Sequence, residues 1–154
     1  MSLKILISQP NLYDSKVFMP LVFLCLKTYV DKREDVDPVT WLDPLFRNTD
    51  CNTMLKDVDT KNVDILGLSC YDWNWSLQLE IAKQIKKDNP NVLVIAGGPH
   101  PDWKDKDFYK KYPQIDIVVY NDGERPFAEI VKACLLYTSP SPRDQRGSRL
   151  PSSS

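Results

Sequence analysis

One histidine in 154 residues, and four cysteines set far apart, leave this sequence without the means to build most metal centres. Cys25, Cys51, Cys70 and Cys134 are separated by 26, 19 and 64 residues, and none of these gaps matches a zinc knuckle, a redox pair or an iron–sulfur loop. They are expected to be free thiols, Cys25 and Cys134 buried on helices. Long apolar runs are missing too. The longest, Leu21 to Leu26, falls far short of the roughly 20 residues that cross a bilayer. The first ten residues lack the apolar stretch and small-residue cleavage site of a signal peptide, so a cytoplasmic location is expected. Net charge is −1, which gives no electrostatic reason for nucleic acid or an anionic membrane as partner.

Several nucleotide and catalytic loops are absent as well. No G-x-G-x-x-G or Walker A loop follows the first apolar run, which argues against a dinucleotide or P-loop site. After Ser8 there is no glycine- and hydroxyl-rich loop of the sort that holds a flavin phosphate. A phospho-receiver needs an acidic pair after its first strand and an aspartate ending its third. Here stand Gln9-Pro10 and Ser69-Cys70. A nucleophile elbow is excluded because Gly67-Leu68-Ser69 runs on into Cys70-Tyr71.

What is present is an alternation of short apolar runs and amphipathic stretches, at 42% hydrophobic and 27% charged residues, the balance of one globular domain. Strands are expected at Leu3–Ser8, Asp35–Leu42, Val63–Ser69, Val92–Ala96 and Ile115–Tyr120, the second an edge because it contains Pro38. Helices are expected at Met19–Lys32, Asp50–Val58, Trp75–Asp88, Phe108–Tyr112 and Pro126–Leu135. In the first, Leu21, Leu24, Cys25 and Tyr29 recur at helical spacing. In the third, Asn74 offers an N-cap, and Leu77, Ile81, Ala82 and Ile85 form the stripe to be buried. Strands alternating with helices imply an α/β fold. Right-handed crossovers favour a flavodoxin-like, doubly wound, five-stranded parallel sheet of order 2-1-3-4-5.

From Leu136 onward the chain changes character, gathering six of its eleven serines and three of its twelve prolines with no periodicity. Such a segment cannot offset its ordering entropy by burial. The domain is therefore expected to span residues 1–134, with 135–154 a disordered tail. That tail resembles a translated sequencing adapter rather than natural sequence. Without its three arginines and one aspartate the chain carries 17 basic and 20 acidic groups, so the tail is no basic binding arm.

Ligands on such sheets bind beyond the carboxyl ends of the strands, which selects the loops 9–15, 69–74, 97–103 and 121–126. Gly97-Gly98-Pro99-His100 is the strongest signal. Paired glycines let the chain turn and let a flat ligand lie against backbone, although a tight turn alone would use them equally. Ser69, with Cys70 and Tyr71, can hydrogen-bond a ligand or cap its own loop. Asn121-Asp122-Gly123-Glu124 turns into a helix start. His100 has no second histidine or suitably spaced carboxylate, which favours a structural role over direct chemistry. Tyr71, Trp73, Trp75 and Trp103 form an aromatic group able to wall a flat ligand.

Three stretches then agree with one pattern: Val63-Asp-Ile-Leu-Gly-Leu-Ser-Cys-Tyr-Asp-Trp-Asn74, Val94-Ile-Ala-Gly-Gly-Pro-His-Pro101, and Asp116-Ile-Val-Val-Tyr-Asn-Asp-Gly-Glu-Arg-Pro-Phe127. Together with Met19-Pro20-Leu21 they resemble the N-terminal cobalamin-binding domain of radical S-adenosylmethionine (radical SAM) enzymes. The resemblance implies a cobalamin site in which Ser69 and Gly97-Gly98 lie against the nucleotide tail. Around them stand Gln9, Pro10, Asn11, Cys70, Tyr71, Pro99, His100, Asp122, Gly123 and Glu124. Two departures stand out. The family's glycine-glutamate-glycine-glutamate is here Asn121-Asp122-Gly123-Glu124. The Asp-x-His-x-x-Gly loop, whose histidine binds cobalt in methionine-synthase-type domains, is missing after Ser8, as it is in many radical SAM relatives.

The implied protein is a cobalamin-dependent radical SAM enzyme, a methyltransferase or a related radical modifier. Its four-iron cluster and S-adenosylmethionine belong to a barrel that follows this domain and is its expected partner. No C-x-x-x-C-x-x-C loop is present, so this stretch is expected to hold no catalytic residue and no metal ligand of its own. Two other readings are a degenerate docking domain that binds no cobalamin, and a stand-alone flavodoxin-like enzyme using His100.

Overall fold

The computed structural model describes residues 2–12 and 19–138. Five strands pair in parallel in the order β2-β1-β3-β4-β5: β1 (Lys4–Ser8), β2 (Thr40–Trp41), β3 (Ile65–Ser69), β4 (Leu93–Gly97) and β5 (Ile117–Val118). The helices are α1 (Leu21–Lys32), α2 (Cys51–Leu55), α3 (Trp75–Asp88), α4 (Phe108–Lys111) and α5 (Glu124–Thr138). This is the flavodoxin-like arrangement expected from the sequence.

Strand alternation sorts the core into two layers. Ile5, Ile7, Ile65 and Ile95 face α1 and α5 and pack with Leu26, Val30, Phe127 and Val131. Leu6, Leu66, Leu68, Val94 and Ala96 face the other way, against Ile81, Ala82 and Ile85 of α3. Central strands buried on both faces read as unbroken apolar runs, which is why β1, β3 and β4 were visible in the sequence.

The edges and some helix faces differ from expectation. The second strand shrinks from 35–42 to Thr40–Trp41, because Pro38 and Pro44 flank it and a proline donates nothing to a ladder. Pairing resumes beyond Pro44, where the Gln9 N–H donates to the Leu45 carbonyl and the Leu45 N–H to that of Ile7. The fifth strand shortens to Ile117–Val118. On α1, Leu26 and Val30 are the buried residues, whereas Leu21 and Cys25 are exposed. Gln78, not the half-buried Leu77, completes the buried stripe of α3. None of the four cysteines is in a disulfide, and Cys134 is only partly buried. Helix α5 runs through Thr138, past the boundary expected at 134; the expectation for the rest of the tail falls outside the described residues. Among the described residues no helix is long and apolar enough to cross a membrane.

Candidate functional site

The face of the sheet beneath α1 and α5 is filled by isoleucines in its lower half and by very small residues above. Gly67 stands opposite Ile7 and Ile95 in the parallel register, and Ser69 opposite Gly97. With no large side chains at the carboxyl ends of β3 and β4, a cavity of about 280 Å3 remains between sheet and helices. Ile7, Ile95, Val22, Leu26 and Phe127 give it apolar walls, and Ser69, Tyr71, Asn121, Asp122 and Glu124 stand among its polar lining. A small apolar chamber with convergent polar groups is the usual form of a cofactor site.

All four glycines of the described residues line this cavity, but for different reasons. Gly98 has φ +92°, and a Cβ there would lie 2.8 Å from the Cys70 nitrogen and nearer still to its carbonyl oxygen. Its glycine is demanded by the protein's own backbone, whatever it contributes to the cavity it lines. At Gly67 a Cβ would press on Ile7. At Gly97 and Gly123 the nearest atoms, both of Val119, would be 3.7 and 4.0 Å away, ordinary contacts. Nothing within the chain requires glycine at those two positions, and the space each leaves belongs to the cavity. That is a cradle a Cβ would fill, and it fits a flat cofactor group.

Asn121 has φ 61°, in the left-handed region where asparagine is the best tolerated substitute for glycine. Asp122 keeps the acidic character of the glutamate it replaces, and Glu124 lies in the first turn of α5, where a carboxylate complements the helix dipole.

Of the thirteen residues expected at the site, seven line the cavity: Ser69, Tyr71, Gly97, Gly98, Asp122, Gly123 and Glu124. The other six stand elsewhere. Gln9 Oε1 accepts from the Val22 N–H, closing the start of α1. Pro10 is buried, and its carbonyl accepts from Trp73 Nε1 and Asn74 Nδ2. Asn11 pairs by its backbone with Phe46 and accepts from Asn48. The Cys70 side chain turns into the core, where burial pushes its thiol far up and so keeps it protonated. Pro99 and His100 lie beyond the glycine pair, and His100 packs against Trp75, ring centroids 4.9 Å apart. Residues 13–15 of the first expected loop fall outside the described residues.

The aromatic group divides into separate contacts. Tyr71 stacks on Trp73 at 4.4 Å, Trp103 stacks on Tyr120 at 4.4 Å, and Trp75 packs with His100, Phe108 and Tyr112. Among the described residues no group of three or more histidine, cysteine or acidic side chains could hold a metal ion. Sequence reasoning missed the walls supplied by Val22, Leu26 and Phe127, whose apolar character reads equally well as core. It also missed two buried amides. Asn74 occupies the N-cap position of α3 but makes no capping bond; its side chain reaches back to the Tyr71 N–H and to the Pro10 and Ser69 carbonyls. Gln78 bonds Ser8 and Ser69. A polar residue repeated at i, i+4 within a buried stripe was the available signal.

The fold and the cavity define a doubly wound α/β ligand-binding domain with its site at the carboxyl edge of β3, β4 and β5. Residues 31–131 match the model of the B12 binding domain. The chain belongs to that family, and its cofactor is cobalamin. It is 36% identical over 115 residues to the cobalamin-dependent radical SAM methyltransferase TokK of Streptomyces tokunonensis, a match covering 74% of this chain and 17% of that protein. It is 34% identical over 115 residues to the 2-(S-pantetheinyl)-carbapenam-3-carboxylate methyltransferase of Streptantibioticus cattleyicolor, with the same coverage. An uncharacterized methyltransferase of Pyrococcus horikoshii is 31% identical over 114 residues, 74% of this chain and 24% of that one. The chain thus spans between a sixth and a quarter of these relatives. A putative pilus assembly-related protein of Burkholderia pseudomallei superposes with a TM-score of 0.53 at 9% identity, covering 85% of this chain and 87% of its own. That likeness shows the fold alone.

Proposed function

We propose that this chain holds the nucleotide tail of cobalamin in the cavity between β3, β4, α1 and α5, as the cofactor-carrying domain of a cytoplasmic radical SAM methyltransferase. The observation that carries the reading is the pair Gly97 and Gly123. Each lacks a side chain that the protein has room for, and each opens into the same chamber. Bound cobalamin supplies a carbon–cobalt bond that can deliver a methyl group. The chain's own part is to bind and orient. Ser69 and the acidic residues Asp122 and Glu124 offer hydrogen-bonding groups beside the cavity, while Ile7, Leu26, Ile95 and Phe127 exclude water from it. His100, the sole histidine, packs against Trp75 and does not line the cavity, so it would not be among the residues that hold the cofactor. The radical SAM barrel, with its four-iron cluster and S-adenosylmethionine, is the partner that the methyltransferase relatives suggest. Nucleic acid and membrane have no place in this reading.

Titration of the full chain with hydroxocobalamin tests it. Expected are a shift of the corrinoid absorption bands and co-elution of the corrinoid with the protein on gel filtration. A chain that is folded by circular dichroism, yet elutes free of corrinoid at high protein concentration, would sink the proposal and leave a docking role.

A further inference from the structure

Behind the cavity, on the opposite face of the sheet, lies a cluster that the cofactor reading does not use. Asn74 and Gln78, one helical turn apart on α3, are 1% and 0% exposed, a depth at which an unpaired amide is costly. Neither is unpaired. Gln78 Nε2 donates to the Ser8 carbonyl at 2.7 Å and the Ser69 carbonyl at 3.0 Å, and its Oε1 accepts from Ser8 Oγ at 2.7 Å. Asn74 Nδ2 donates to the Pro10 and Ser69 carbonyls at 3.1 and 3.0 Å, and its Oδ1 accepts from the Tyr71 N–H at 2.8 Å. Both amides are fully used.

Their location gives these bonds a purpose. The last β1–β3 pair in the register is Ser8 with Leu68. Beyond it the chain leaves β1 toward α1 on one face, and leaves β3 toward α3 on the other. Past that pair the register would bring the Ser69 carbonyl to residue 10, a proline with no N–H to give, and a buried carbonyl must then find another donor. Two side chains from α3 supply it, and in doing so tie the end of β1, the Pro10 turn, the end of β3 and the Tyr71 turn into one unit. Ser69 and Tyr71 are the residues of that unit that line the cavity.

We infer that Asn74 and Gln78 are positioning residues of the cofactor site: from the face away from the ligand they fix the Ser69–Tyr71 segment in the shape that receives the cobalamin tail. The inference rests on the cobalamin reading above and adds to it the part of the chain that pre-organises the site. A rigid wall spares the ordering cost that a mobile one would charge against binding.

The test compares three variants of the full chain with the unsubstituted protein. Gln78→Leu removes the amide and keeps the bulk, deleting the bonds to Ser8 and leaving Asn74 as the one side-chain donor to the Ser69 carbonyl. Ile81→Val trims the same helix one turn on, without touching the loop, and serves as a control for general destabilisation. Ser8→Ala deletes only the Ser8 Oγ bond. Hydroxocobalamin affinity is read from the corrinoid bands, and amide hydrogen exchange of Tyr71 is read without ligand. Gln78→Leu is expected to weaken binding about tenfold or more and to speed Tyr71 exchange. Ile81→Val is expected to stay within about twofold on both readings. Unchanged affinity in a folded Gln78→Leu chain overturns the inference, as does equal weakening by Ile81→Val. Should Gln78→Leu fail to fold, Ser8→Ala decides: faster Tyr71 exchange with weaker binding supports positioning, and no change in either refutes it. Absence of binding by the unsubstituted chain is a separate result, which overturns the cobalamin reading itself.

Discussion

At the scale of single residues, adjacent glycines have opposite causes. Gly98 answers to Cys70, whose backbone closes on it, and Gly97 answers to the cavity. Their alanine variants therefore separate folding from binding. Gly98→Ala is expected to cost more than about 2 kcal/mol of stability, since it combines a positive φ with a backbone clash. Gly97→Ala is expected to change stability by less than about 1 kcal/mol, since strand geometry suits alanine, while its methyl group lowers corrinoid affinity about tenfold. Urea unfolding and corrinoid titration of the two variants check this; equal loss of stability in both would contradict it. The sequence displayed the glycine pair but not this division of labour. Which atom approaches a missing Cβ depends on a residue 28 positions earlier in the chain.

At the scale of elements, periodicity located α1 and α3 and misjudged part of the buried face of each. The run Leu21 to Leu26 is apolar at every position and so has no polar side to orient it. Leu21 and Cys25 were assigned inward, yet they are exposed; the structure buries Leu26 and Val30. Both misassigned residues line the cavity, so their apolar character suits a cofactor rather than the core. The far end of the same helix is tied to α5 by charge. Arg33 pairs with Asp35 and Glu129, and Lys132 with Asp35. Hydrogen bonds from Arg33 and then Lys132 hold the Asp35 carboxyl well below its ordinary value of 3.8. A carboxylate with a depressed native pKa lends stability that is complete above its unfolded value and is lost as pH falls through the folded one. The thermal midpoint difference between wild type and Asp35→Asn is thus expected to be constant from neutrality down to about pH 5 and to shrink below about pH 4. The group is exposed, so the difference should also shrink in high salt. A gap as large at pH 2 as at neutrality would refute the assignment.

At the scale of the whole molecule, strand order was legible because central parallel strands announce themselves as apolar runs and right-handed crossovers leave few topologies. The site was legible only as loops. Its chamber is made by what side chains leave unfilled, and an empty volume has no letter in the sequence. Binding there is linked to folding: a ligand taken only by the folded state adds about 2.7 kcal/mol when present at about 100 times its dissociation constant. The thermal midpoint of the full chain should accordingly climb by several degrees with saturating hydroxocobalamin, and Gly97→Ala should climb less at the same concentration. An unchanged midpoint in both would leave the cavity without its guest.

The placement of small residues on alternate strand positions has one more consequence. Gly67, Ser69 and Gly97 share a face, while Leu66, Leu68, Val94 and Ala96 stay packed on the other to the strand ends. Guest and scaffold are therefore written in separate registers of the same strands. Redrawing the chamber for a bulkier or smaller corrinoid is a matter of editing odd-numbered positions of β3 and β4, with the even-numbered ones left as the frame that keeps the protein standing.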